Sequence, residues 1–187
     1  MERLEELRLI KQAKQGDVDA YGRLYEMVYM DLYRFALFTL KNPYDAEDVV
    51  SDTVTDSFVG IGKLKKDEAF RSWIFKILAN KCRKVLKQYA ERPPMKEYEE
   101  ALTDREERAG GALPEEGHVN REDLMDLARA FGMLEEEDRL IVSLSFFGGY
   151  TSGEIAGMLK RKPGTVRSRQ SRALSKMREL LTGAYGL

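Results

Sequence analysis

Apolar residues recur at helical spacing along almost the whole chain, and this regularity is what most limits the fold. One stripe consists of Tyr21, Leu24, Tyr25, Val28, Leu32 and Phe35. Two more stripes follow over residues 49–58 and 70–85, and helical spacing resumes after residue 121. No segment shows the strict alternation of a half-buried strand. The sequence therefore predicts an all-α protein.

The helical pattern is interrupted once, in the middle of the chain. It stops at Arg92-Pro93-Pro94, and the following residues are acidic and contain Gly110-Gly111 and Pro114. Such composition is typical of a linker. We predict two small helical domains, residues 1–92 and 121–187, joined by a flexible acidic linker over residues 93–120.

Charge is balanced in total but segregated along the chain. The net charge is −1, yet residues 160–178 contain eight basic residues and no acidic one, and residues 60–92 are also strongly basic. Residues 45–56 are instead acidic. Basic stripes on helices indicate phosphate binding, although a single run is often only a solvated face. Two basic blocks suggest a protein that touches nucleic acid at two places.

The residues needed for most enzymatic and metal sites are scarce. Cys82 is the only cysteine and His118 the only histidine, so neither a disulfide nor a cysteine-based zinc site can form within the chain. An enzyme acting on nucleic acid could use the acids of residues 45–56 to hold a metal, but no histidine or glycine-rich phosphate loop accompanies them. We expect no enzymatic activity, no cofactor, no signal peptide and no insertion into a membrane.

The strongest local signal is a helix-turn-helix pattern near the end of the chain. Residues 151–180 read TSGEIAGMLKRKPGTVRSRQSRALSKMREL. Thr151 or Ser152 can cap the first helix, and Pro163 suits the first position of the second. Outward positions at the start of the second helix carry Arg167, Ser168, Gln170, Ser171 and Arg172. Arg and Gln side chains read guanine and adenine edges in the major groove, so this helix is predicted to contact duplex DNA.

These motifs resemble the extracytoplasmic-function group of sigma factors in the sigma-70 family. The second half carries that family's helix-turn-helix, and DAEDVVSDTVTDSF (residues 45–58) is similar to its polymerase-binding helix. FRSWIFKILAN (residues 70–80) is similar to its promoter-melting segment. The matches occur in the family's order and cover nearly the whole chain except the linker. In the turn after residue 159 the family usually carries Gly, whereas this chain carries Lys160.

The resemblance implies a function for each of these segments. The acidic helix would bind the clamp helices of the polymerase largest subunit through Asp45, Glu47, Asp48 and Asp52. The minus-10 element would be melted and captured by Lys63, Lys65, Lys66, Arg71, Asn80, Lys81, Arg83 and Lys84. The minus-35 element would be read by Thr165, Arg167, Ser168, Gln170, Ser171 and Arg172, with Arg172 on phosphate. Trp73 lies on the apolar stripe and is expected in the core.

The same resemblance implies the partners and the setting. They are the bacterial RNA polymerase core, contacted at clamp and flap, promoter DNA, and an anti-sigma factor, all in the cytoplasm. A stand-alone helix-turn-helix regulator that binds duplex DNA as a dimer is the alternative. It explains residues 151–181 equally well, but it explains neither the second basic segment nor the acidic helix before it.

Overall fold

The computed structural model describes residues 2–91 and 121–184, which form two helical domains. The first contains α1 (Glu2–Lys14), α2 (Val18–Leu40), α3 (Pro43–Gly60) and α4 (Phe70–Glu91), with short 3-10 turns at Ile61–Lys63 and Asp67–Ala69. The second contains α5 (Arg121–Gly132), α6 (Glu136–Phe146), α7 (Ser152–Leu159) and α8 (Pro163–Ala184). No strand occurs in either described range, which confirms the all-α prediction. The predicted linker and His118 lie outside the described residues.

Local capping sets the limits of the helices in the first domain. The Asp17 carboxylate accepts a hydrogen bond from the Ala20 N–H at 2.9 Å and begins α2. The amide oxygen of Asn42 accepts from the N–H groups of Tyr44 and Asp45, so Asn42 caps α3 and Pro43 is its first residue. α1, which the sequence reading did not single out, packs against α2 and buries Leu9 and Ile10.

The second domain contains the predicted helix-turn-helix, α7 and α8. Thr151 and Glu154 form a reciprocal capping box, in which each side chain accepts from the other residue's backbone N–H. Lys160 ends α7 in the left-handed conformation, with φ 54° and ψ 45°. Ile155, Ala156, Val166 and Ala173 are buried between the helices. Leu174 is 48% exposed, although Ala173 before it and Met177 after it are buried, so it lies at the edge of the packed face of α8.

The two domains share one continuous core. The last turn of α2 packs against the second domain. The Phe38 ring stacks on the Phe131 ring with centroids 4.8 Å apart, and its centroid lies 5.9 Å from that of Phe147. Phe35 also contacts Phe147, at 6.5 Å. Because these rings come from both domains, the contact buries apolar surface of each.

We find no candidate membrane-spanning helix in the described ranges. No helix there combines the length and the low charge that a bilayer span requires.

Candidate nucleic-acid interfaces

The first turns of α8 present a mostly exposed polar surface. Thr165, Arg167, Ser168, Ser171 and Arg172 are all exposed, as the sequence predicted for base- and phosphate-facing positions. The Arg172 guanidinium donates to the Ser168 carbonyl at 3.3 Å. Val166, between Thr165 and Arg167, is buried and packs this end of α8 against the rest of the domain. Helix dimensions and side-chain chemistry here suit insertion into a major groove.

Gln170 differs from the outward position that the sequence suggested. It is half-buried, and its amide nitrogen donates to the Ser145 hydroxyl at 2.8 Å. Its amide oxygen accepts from the Ser152 hydroxyl at 3.0 Å. The Gln170 side chain therefore connects α8 to the last turn of α6 and to the first residue of α7. In this arrangement its polar groups are engaged within the domain.

An ion-pair cluster between α8 and the start of α6 escaped the sequence reading. The Arg169 guanidinium contacts Asp138 at 2.7 Å, Glu135 at 3.1 Å and Glu137 at 3.4 Å. Arg161 adds a second contact to Glu137 at 2.7 Å. Desolvation lowers the pKa of Arg169, but its hydrogen bonds and the nearby carboxylates outweigh that effect and raise it. The cluster fixes the orientation of α8 relative to α6.

The basic side chains of the first domain form a second surface along α4 and the turns before it. Lys63, Lys65 and Lys66 are exposed in these turns, and Asn80 and Lys84 are exposed on α4. Lysines next to a polar amide offer contacts for a nucleic-acid backbone and a base edge.

Three of the predicted minus-10 residues have partners within the protein. Arg71 forms an ion pair with Asp31, and its guanidinium lies 5.3 Å from the Phe75 ring centroid. Arg83 is exposed and donates to the Met158 carbonyl of α7 at 3.0 Å. Lys81 contacts Asp56 at 2.7 Å.

Trp73 is half-buried, which agrees with its expected place at the core. Its ring lies so close to Gly60 that an added β-carbon there would approach the Trp73 Cζ2 atom to 3.2 Å. A side chain at residue 60 would displace the ring, so the glycine lets α3 end directly over it. The tryptophan fixes the end of α3 against α4.

Of the four predicted polymerase contacts on α3, Asp45, Asp48 and Asp52 follow at i, i+3 and i+7 and share one face, whereas Glu47 lies on another. Asp45 accepts a hydrogen bond from the Tyr89 hydroxyl, and Asp52 lies 3.7 Å from the Lys81 ammonium, so both lie on the side of α4. Glu47 and Asp48 are exposed. Of the four predicted polymerase contacts, Glu47 alone lines a cleft between α2 and α3.

That cleft has a volume of about 380 Å³ and an aromatic wall that the sequence reading missed. Tyr25, Tyr29 and Tyr33 follow one another along α2, with centroids 5.3 and 6.3 Å apart. Burial, with Tyr29 adding to it, raises the pKa of Tyr25 to about 12. The spacing of four residues between the tyrosines was the available signal, since it places them on one helix face.

Two known protein-family models match the chain, one in each helical domain. The model of sigma-70 region 2 matches residues 24–92, and the model of sigma-70 region 4 matches residues 124–177. These matches cover the two domains in the order that the motifs predicted. The chain is 29% identical over 168 residues to the ECF RNA polymerase sigma factor SigM of Mycobacterium tuberculosis, covering 89% of this chain and 79% of SigM.

The chain belongs to the extracytoplasmic-function group of the sigma-70 family. It is an RNA polymerase sigma factor, a type of transcription initiation factor that recognises promoter DNA. It is also 28% identical over 181 residues to the ECF RNA polymerase sigma-E factor of Escherichia coli K12, covering 92% of each chain.

Solved structures have the same fold as this sigma factor. CnrH, in complex with the cytosolic domain of CnrY, matches with a TM-score of 0.60 at 24% identity, covering 96% of this chain and 98% of CnrH. The sigma factor RpoE of Bartonella quintana, in complex with the anti-sigma factor NepR, matches with a TM-score of 0.60 at 23% identity, covering 88% and 98%.

Proposed function

We propose that this sigma factor divides promoter recognition between α8 and α4, with α3 binding the polymerase. The observation that carries the proposal is the presence of two exposed basic surfaces, one in each helical domain. In this division residues 1–92 act as the melting domain, residues 121–187 as the minus-35 domain, and residues 93–120 as the linker. A single duplex-binding regulator needs only the second domain.

The minus-35 element is read by the start of α8. Arg167 is the principal base reader, because it is exposed and a guanidinium pairs with guanine bidentately. Thr165, Ser168 and Ser171 supply hydroxyl contacts, and Arg172 binds phosphate. Gln170 stays a candidate base contact, but one that must first leave Ser145 or Ser152. Arg169 acts as a positioning residue through its carboxylate partners.

The minus-10 element is captured by α4 and the preceding turns. Lys63, Lys65, Lys66 and Lys84 attract the backbone of the separated strands, and Asn80 reads a base edge. Arg71, Lys81 and Arg83 belong to the same surface, but each has to exchange a protein partner for a phosphate. Losing an existing partner, a carboxylate for Arg71 and Lys81 and a backbone carbonyl for Arg83, limits the gain in affinity from these three residues.

The polymerase clamp is bound by the exposed side of α3. Glu47 and Asp48 are available for basic residues of the partner, and the tyrosine-lined cleft beside Glu47 accepts an apolar side chain. Asp45 and Asp52 contribute mainly by keeping α3 attached to α4, since each already has a partner there.

The remaining features of the proposal follow from the family. We place the protein in the bacterial cytoplasm without enzymatic activity, in contact with the polymerase flap through its second domain. Regulation by an anti-sigma factor is supported by RpoE, which has the same fold as this chain and was solved in complex with the anti-sigma factor NepR. A dimeric duplex-binding regulator stays the second candidate, favoured only by the helix-turn-helix itself.

The proposal is tested by run-off transcription with bacterial core polymerase on a fragment from upstream of the protein's own gene. We expect a discrete transcript that falls at least about fivefold with Arg167→Ala, because loss of a bidentate base contact costs ~1–3 kcal/mol. Arg178→Ala is the matched control, since Arg178 is exposed on the same helix three turns later. Its transcript should stay within about twofold of the unmodified protein's.

Two results would contradict the proposal. Absence of any transcript, together with no co-purification with core polymerase, would favour the stand-alone regulator. An equal loss with Arg167→Ala and Arg178→Ala would show that α8 contributes only general charge.

A further inference from the structure

The segment between α3 and α4 carries three of the cations proposed to bind the minus-10 element. We call residues 61–69 the lysine loop, and its basic residues are Lys63, Lys65 and Lys66. All three are exposed, and none of their ammonium groups pairs with a carboxylate of residues 2–91 or 121–184. Their charges therefore face solvent, where a DNA backbone can reach them.

The lysine loop is only partly held by its own residues. Ile61 and Leu64 are buried, and the Leu64 N–H donates to the Ile61 carbonyl at 3.0 Å. The Ala69 N–H donates to the Lys66 carbonyl at 3.0 Å and closes the second turn. These contacts leave the Leu64 carbonyl and the Asp67 carboxylate to find partners on another element.

Lys14, the last residue of α1, supplies the partner for both groups. Its ammonium donates to the Leu64 carbonyl and to the Asp67 carboxylate, each at 2.8 Å. The side chains of Lys14 and Asp67 are 26% and 18% exposed, so this ion pair is screened less than pairs between fully exposed side chains. The backbones are also close, since a β-carbon added to Gly62 would lie 3.9 Å from the Lys14 carbonyl.

The position of Lys14 is fixed by its neighbours in the chain. α1 ends at Lys14, Gly16 follows with a left-handed backbone at φ 93°, and Asp17 caps α2. Ile10 and Ala13 of α1 are buried in the core of the first domain. A lysine between two packed helices has less backbone freedom to lose when its side chain binds the loop.

The contact with Lys14 also removes a competitor for the loop lysines. Asp67 directly follows Lys65 and Lys66 in the chain. Without Lys14, the Asp67 carboxylate would attract these two ammonium groups and repel DNA phosphates. With Lys14 in place, the charge of Asp67 is balanced from α1, and both lysines keep their charge for the DNA backbone.

We propose that Lys14 is a positioning residue for the minus-10 interaction, which holds the lysine loop in place and keeps its ammonium groups available for phosphate. The inference rests on the proposed function, in which this loop binds the separated strands. It extends that function to α1, which lies outside residues 24–92, the range matched by the model of sigma-70 region 2. Lys14 acts through the loop, because its own ammonium is occupied by two oxygen atoms of the loop.

The test measures how tightly holoenzyme, reconstituted from core polymerase and the full chain, binds the fragment from upstream of the protein's own gene. Lys14→Met removes both contacts and should weaken binding at least about threefold at moderate salt. It should also flatten the plot of log binding constant against log salt concentration by about 0.7–0.9, the contribution of one phosphate contact. A chain that is only less folded binds in proportion to its folded fraction, with an unchanged slope.

Two further variants on α1 serve as controls for the Lys14→Met result. Lys14→Arg keeps a cation that can donate to both oxygens, so it should bind within about twofold of the unmodified protein and with its salt slope. Lys11→Met makes the matched change about one turn earlier on α1, where Lys11 is exposed, and should alter neither value.

A double-mutant comparison determines whether Lys14 acts through the lysine loop. In a chain that already carries Lys65→Ala and Lys66→Ala, Lys14→Met should weaken binding by less than about 1.5-fold. An unchanged salt slope, or the same loss with and without the two loop lysines, overturns the inference. Failure of the unmodified holoenzyme to bind, or full binding by the variant with both loop lysines replaced, overturns the proposed function instead.

Discussion

Lys160 occupies a turn position where the resemblance predicts glycine, and its left-handed backbone lowers the stability of the folded protein. It has a left-handed backbone, and the following residue's N–H donates to the Ala156 carbonyl at 2.9 Å to close α7. Glycine adopts this conformation without the steric penalty of a β-carbon. The resemblance predicts glycine in this turn, whereas this chain keeps a positive charge beside the start of α8.

Lys160→Gly should stabilise the free protein by about 0.5–1 kcal/mol, because it relieves the left-handed strain. A thermal melt followed by circular dichroism should then show a rise of roughly 1–4 °C for a chain of this size. Lys160→Arg keeps both the strain and the charge and should melt like the unmodified protein. A lower melting temperature for Lys160→Gly would show that the Lys160 side chain itself stabilises the turn.

Sequence reading at the residue scale succeeded where the signal was local. Thr151 was predicted as a helix cap and Pro163 as a first helical residue, because such signals act within three positions. Gln170 was placed outward because helix periodicity gives its direction, but its partner Ser145 lies 25 positions away. A partner at that distance leaves no periodic signal.

α7 is the shortest helix of the two described domains, and its start depends on the capping box. The Glu154 carboxylate accepts from the Thr151 N–H and hydroxyl at 2.8 and 2.7 Å. These hydrogen bonds, the backbone one first, hold the pKa of Glu154 below its ordinary value of 4.5. A helix of eight residues has little propensity of its own, so the cap and packing together determine its first turn.

The lowered pKa of Glu154 predicts a pH-dependent contribution to stability. Because the folded value is depressed, the contribution is complete above the unfolded pKa and is lost as pH falls through the folded pKa. Glu154→Gln should therefore lower the melting temperature by about 2 °C at neutral pH and by less near pH ~3. Calorimetric melts at both pH values measure the two differences. Equal differences at both would contradict the prediction.

Element-level prediction was accurate for helices with a strong apolar period. The stripes over α2, α3 and α4 predicted those helices, and the helix-turn-helix was predicted with its turn. α1 was missed as an element, although Leu9 and Ile10 give it a buried edge. The Arg169 cluster was missed because it joins α8 to acids of α6 more than thirty residues earlier. Charged residues on separate helices carry no sequence signal of their pairing.

At the scale of the whole molecule, the relation between the domains was not predictable from the sequence. Phe38 and Phe131 each fit the apolar stripe of their own domain, and nothing in either stripe reports that they stack on one another. Thr39 and Ser143 are likewise ordinary polar residues in the sequence, yet both are fully buried and hydrogen-bonded to each other between the domains. The contact depends on the docking of two complete domains, so it becomes visible only in three dimensions.

The measurement that tests the account most directly is a footprint of promoter DNA with the protein alone and with core polymerase. With core polymerase, we predict protection of two elements separated by roughly 25 base pairs and permanganate-reactive, unpaired thymines at the downstream one. The protein alone should give neither. Protection by the protein alone of two symmetric half-sites about one helical turn apart, without unpaired bases, would contradict the account and identify a dimeric regulator.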